Sequence, residues 1–187
     1  MADVERANLE RATKSARELL ESHAVQQPPV DVDAIAKAEG VQVVYEELED
    51  RISGILVQKD DATIIGVNKL HHAHRQRFTL AHELGHYTLH PHNPTVWVDD
   101  LMVHFRGENM YAPATPEEVE ANAFAATLLM PEEFLKHDLA GRVIDVLDEV
   151  AVRRLAQRYR VSPQALTIRL MELGLLAGLP PSFARLK

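Results

Sequence analysis

At 187 residues with a net charge of −8, the chain has the size of one domain, or of one domain with a small appendage. It has no cysteine, which excludes disulfides and thiolate metal sites and leaves histidine and carboxylate as the ligands for any metal. The acidic balance argues against broad nucleic-acid binding, no apolar run approaches a membrane span, and charge throughout residues 1–23 does not resemble a signal peptide, so a cytoplasmic protein is expected.

Residues 4–23 are rich in Ala, Leu, Glu and Arg and predict a helix with a thin apolar stripe of Val4, Ala7, Ala12, Ala16, Leu19 and Leu20. It ends before Pro28-Pro29. Asp31 can cap a short second helix through Ile35 and Ala38, closed by Gly40. Three β-branched segments follow, Val41–Tyr45, Ile52–Gln58 and Thr63–Val67, separated by turn-prone acidic clusters, and the last two read as a hairpin.

A helix from about His72 carries the chemistry. It contains H-E-x-x-H as His82, Glu83, Leu84, Gly85 and His86, among Phe78, Leu80, Ala81, Leu84 and Leu89. Histidines four apart share a helix face and can aim two imidazole nitrogens at one ion, while Glu83 can reach a water on it. Residues 91–116 are proline-punctuated and loop-like, with one short strand expected at Leu101–Arg106. Glu117–Met130 predicts a second strong helix with apolar Val119, Ala121, Phe124, Ala125, Leu128 and Leu129, and Pro131 can begin another with Glu132 and Glu133 in its first turn.

A catalytic zinc needs a third protein ligand. His92 stands ten residues after His82, but Leu89 and Pro91 occupy the stretch where the corresponding motif turns back on glycine. Glu120 is favoured instead: it lies four residues before Phe124 and eight before Leu128, on the apolar stripe, and a carboxylate committed to that face needs a partner such as zinc. Glu117 lies nearer the helix end, Glu118 lies off the stripe, and Asn122 is a candidate for a supporting hydrogen bond.

In the C-terminal stretch, a helix around Leu155–Ala156, a turn at Val161, Ser162 as N-cap, Pro163 and then Leu166 and Leu170 give a helix-turn-helix pattern. Arg153, Arg154, Arg158, Arg160 and Arg169 make it a candidate nucleic-acid contact; the alternative is a helical unit packed on the rest of the chain with its arginines solvated.

R-F-T-L-A-H-E-L-G-H-Y-T-L-H, together with E-A-N-A-F-A-A-T-L-L-M-P, resembles the ImmA/IrrE family of bacterial and phage metallopeptidases, over roughly residues 30–135. The resemblance implies an α+β, mostly helical, gluzincin-like zinc metallopeptidase with a small three-stranded, mainly antiparallel sheet. Its peptidase domain would span 1–140, with the helix-turn-helix-like region 141–187 packed on it. One zinc per chain would be held by His82, His86 and Glu120, with Glu83 as catalytic base. The oxyanion needs a further donor, for which Tyr111, His104 and Arg106 are candidates, and His90 is either catalytic or supporting. Members of this family typically cut a helix-turn-helix transcriptional repressor, de-repressing phage, mobile-element, DNA-damage or defence genes. Such a repressor is the expected partner, with single-stranded DNA a candidate activator. The competing reading is a DNA-binding regulator or toxin–antitoxin component whose peptidase fold is silent.

Overall fold

The computed structural model describes residues 7–59, 62–91, 96–99, 115–145 and 147–178. Helix α1 (Leu9–Ser22) begins where the Asn8 side chain accepts the Arg11 N–H, after Ala7; Val4 and the rest of the predicted first turn lie outside the described residues. Its buried Ala12, Ala16, Leu19 and Leu20 recur at helical spacing, and the helix packs chiefly on the later helix Pro116–Leu129. Helix α2 (Val32–Ala38) is capped by Asp31, which accepts from the Ala34 N–H, and Gly40 leaves it at φ +80°.

Strands β1 (Val41–Glu46), β2 (Gly54–Lys59) and β3 (Ala62–Asn68) form as predicted, and the last two pair as an antiparallel hairpin with Gly54 opposite Val67. Strand β1 lies parallel to β3, with Val41 opposite Thr63. A fourth strand, β4 (Val96–Asp99), adds antiparallel to β2, giving the order β1-β3-β2-β4. It is too short to show a period of its own in the sequence. The strand expected at Leu101–Arg106 lies outside the described residues. Strand β2 starts two residues later than predicted because Glu49–Ile52 turn back on themselves. The buried Asn68 amide holds that turn, donating to the carbonyls of Leu48, Glu49 and Ile52 at 3.3, 3.2 and 2.8 Å.

Helix α3 (Ala73–Leu89) runs between this sheet and helix α4 (Pro116–Leu129), and Thr79 to His86 is buried without a break. A helix buried all round that carries two histidines and a glutamate must find partners for them. Helix α4 is capped by Thr115, whose hydroxyl accepts the Glu118 N–H, with Pro116 in its first turn. Helix α5 (Glu132–Leu139) follows Pro131 and ends on Ala140 and Gly141, both at positive φ.

The C-terminal unit is bracketed by a two-residue parallel ladder, β5 (Ile144–Asp145) with β6 (Leu176–Ala177). Between them lie α6 (Glu149–Tyr159) and α7 (Pro163–Glu172), joined by the predicted turn, with Ser162 accepting the Ala165 N–H. Their buried Val152, Ala156, Tyr159, Val161, Leu166 and Leu170 belong to the same apolar core as the other described elements. No described helix is long and apolar enough to cross a membrane.

Candidate metal centre

Helices α3 and α4 touch where neither has bulk. A Cβ added at Gly85 would meet Phe124 Cδ1 at 3.1 Å, Ala121 Cα at 3.2 Å and Ala121 O at 3.3 Å. This approach brings the first two turns of α4 against His82 and His86. The two imidazoles place their Nε2 atoms 3.0 Å apart. Glu118 spans them, with Oε2 3.4 Å from His82 Nε2 and Oε1 3.2 Å from His86 Nε2. Both histidines are fully buried.

Asn122 sets the tautomer. His82 Nδ1–H donates to Asn122 Oδ1 at 3.2 Å, which leaves Nε2 as a lone pair directed at Glu118 and His86. Asn122 lies four residues after Glu118, so one face of α4 supplies both the carboxylate and the group that orients its neighbour. Burial alone would raise the Glu118 carboxyl, but when the two imidazoles carry a proton on Nε2, which a metal would displace, their hydrogen bonds and charge outweigh it and hold it well below the ordinary carboxylate range.

The donor set fits a metal ion. Ligand atoms from His82, His86 and Glu118 lie within 4.8 Å of one another. Two bonds of tetrahedral zinc would separate two nitrogens by about 3.3 Å, close to the spacing here. Lone pairs converging at this distance in a buried site call for a cation among them.

Glu120, the expected third ligand, is placed elsewhere, and the structure corrects that assignment to Glu118. Two residues along a helix is a rotation of about 200°, so Glu120 faces α1 instead of the histidines. Its Oε1 accepts the Asn8 N–H at 2.6 Å and its Oε2 lies 3.4 Å from the Arg11 guanidinium, which also donates to the Leu89 carbonyl at 2.6 Å. The buried carboxylate has a partner, as argued from the sequence, but that partner is a helix N-terminus and an arginine.

Glu83 is buried about 60–100° around α3 from the two histidines, against the start of β2. His90 caps α3, with Nε2 3.7 Å from Glu120 Oε2 and its ring 5.7 Å from that of His86. Burial, and then the neighbouring His86, push its pKa down. His92, His104, Arg106 and Tyr111 lie outside the described residues.

The five arginines proposed for nucleic acid divide. Arg169 is buried, donating to the Met130 carbonyl at 3.3 Å and to Thr127 Oγ1 at 3.1 Å, so it packs α7 on α4 and is withdrawn from any nucleic-acid face. Arg158 pairs with Asp138 at 2.6 Å and Arg153 pairs with Glu149. Arg154 and Arg160 are exposed.

Residues 36–171 match the family model of the IrrE N-terminal-like domain, Peptidase_M78. Among solved structures the fold is similar to a Mycobacterium tuberculosis transcriptional regulator, at 15% identity and a TM-score of 0.57. That likeness covers 86% of this chain and 46% of the regulator, so the chain spans less than half of that protein's length. No curated protein matches the chain.

Proposed function

The chain belongs to the family of the IrrE N-terminal-like domain, and from that premise we propose that it is a zinc-dependent endopeptidase acting on a helix-turn-helix transcriptional repressor. The observation that carries the metallopeptidase reading is the cluster of buried His82 and His86 with partly buried Glu118, beside buried Glu83 on the histidines' helix. When bound, zinc supplies a Lewis acid that polarises a carbonyl and makes water acidic near neutral pH. The chain's own residues do the rest. Asn122 holds the His82 ring in the tautomer that presents Nε2. Glu83 takes the proton of the attacking water and returns it to the leaving amine, a role in which general acid–base groups contribute about 10²–10⁴-fold. Burial of His82, Glu83 and His86 raises the worth of the charges set among them.

The repressor as substrate rests on the family resemblance. An extended peptide must cross the metal to present its carbonyl, so the cut is expected in an exposed or frayed segment outside the repressor's folded core. Selectivity would then come from docking of the folded repressor, with the cleaved bond contributing little recognition.

Metal analysis, followed by incubation of the zinc-loaded protein with helix-turn-helix repressors encoded beside its gene and with unstructured casein, tests the reading. About one zinc per chain and a single cut in a repressor are expected. Casein digestion with every repressor untouched would leave a peptidase without the regulatory role. The α6–α7 pair keeps a DNA-binding regulator with a silent site as the second reading, and zinc binding without any cleavage would favour it.

A further inference from the structure

Arg75, Thr79 and Glu83 are spaced by four and so form one ridge along α3, on the side that meets the sheet. The ridge is seated on two residues, Ser53 and Gly54, at the start of β2. Arg75 Nη2 donates to Ser53 Oγ at 2.6 Å, and Ser53 is fully buried. A Cβ at Gly54 would overlap Glu83 Oε1, lie 3.1 Å from Glu83 Cδ and approach Thr79 Cγ2 to 2.5 Å. Gly54 is not among the glycines at positive φ, so its backbone is one that any residue adopts. Only space demands glycine there. In a strand, alanine would ordinarily be the more stable choice.

We propose that Ser53–Gly54 is a socket that fixes the Glu83 carboxylate, with Gly54 a positioning residue whose missing side chain is the volume that carboxylate fills. The ligand set is built from the α4 side of α3, while the base is held from the sheet side. The three nearest atoms that a Gly54 Cβ would meet all belong to Thr79 and Glu83, so the sheet holds the base from its own side of α3. This rests on the peptidase reading for the role of Glu83, but the packing claim can be measured without it.

The test is a stability cycle on the metal-free full chain. Gly54→Ala should lower Tm by about 2–12 °C in the wild-type background, the range expected for overpacking a tight site in a chain of this size. In a Thr79→Ser, Glu83→Ala background, which removes the atoms the new methyl would strike, the same substitution should cost nothing measurable. If Gly54→Ala alone fails to fold, the triple variant should still fold. Equal Tm losses in both backgrounds, or a triple variant that also fails to fold, would overturn the socket. In the zinc-loaded enzyme, Gly54→Ala should keep its zinc and its KM while kcat falls by about 10²-fold, as for a misplaced catalytic group. Unchanged kcat in that variant would show that the socket does not position the base. Full activity of Glu83→Gln would instead remove Glu83 from the chemistry, and the stability cycle would still decide the socket.

Discussion

Glu118 and Glu120 stand two residues apart on α4, and replacing each should have opposite consequences. Glu118→Ala removes both oxygens that face the imidazoles at 3.2 and 3.4 Å, so stoichiometric zinc should be lost. Glu120→Ala removes the acceptor for the Asn8 N–H and the partner of Arg11, and should keep zinc while costing about 1–3 kcal/mol of stability. Metal analysis and thermal melts of the two variants check this, and zinc retained by Glu118→Ala but lost by Glu120→Ala would reverse the assignment. Glu120 misled the sequence reading for a physical reason. It shares the apolar stripe with Phe124 and Leu128, and nothing local announces that α1 arrives on that face with its N-terminus. Asn122 held the better signal, since the carboxylate one turn before an orienting amide points the same way. His82 and His86 were legible because their spacing alone puts them on one face.

Between elements, the α3–α4 contact at Gly85 decides the geometry of the centre. Gly85→Ala gains about 1 kcal/mol of helix propensity. Against this stand about 1–3 kcal/mol for pressing a methyl into Ala121 and Phe124, and much of that obstacle is backbone that cannot rotate away. Stability should therefore change little or fall. Zinc affinity is the sharper readout, because moving α4 outward withdraws Glu118 and Asn122 together, and loss of an orienting partner alone typically costs about 10–100-fold. Wild-type affinity in Gly85→Ala would show that the close crossing is not what builds the site. A second junction binds α6 to α5, where Asp138 accepts from Arg158 at 2.6 Å and from the Tyr159 hydroxyl at 3.0 Å. Burial alone would raise the Asp138 carboxyl, but those two hydrogen bonds prevail and depress it. A depressed carboxylate stabilises the fold fully above its unfolded value of about 4 and loses that contribution as pH falls through the folded value. Asp138→Asn should thus melt below wild type at pH 7, with the gap closing in acid; a gap constant from pH 7 to 3 would remove the charge from the explanation. Caps made two of the helices readable, at Asp31 and Ser162, whereas the Thr115 cap emerged only with the structure. Strand β4 and the parallel pairing of β1 with β3 were not, because both depend on partners distant in sequence.

Across the whole molecule, charge sets what the C-terminal helices can bind. The helix-turn-helix pattern was legible and forms, yet a pattern of caps and apolar spacing says nothing of which arginines remain available. Arg169 is spent inside the core, Arg158 on Asp138 and Arg153 on Glu149. Arg154 and Arg160 are exposed, with no ion pair among the described residues, on a chain whose net charge is −8. Binding through two phosphate contacts would give a slope of log K against log salt of about −2, whereas a protein making six to ten contacts loses about 10³–10⁵ in affinity between 50 and 200 mM salt. Duplex affinity should therefore be weak, at the 10⁻⁴ M end of about 10⁻⁴–10⁻⁶ M for non-specific binding at physiological salt, and Arg154→Ala with Arg160→Ala should change it only modestly. Fluorescence anisotropy on a labelled duplex across that salt range measures both quantities. Nanomolar, sequence-dependent binding with a steep slope, abolished by the double variant, would mean that α6 and α7 present a DNA surface in spite of the acidic whole, and would move the regulator reading ahead of the peptidase.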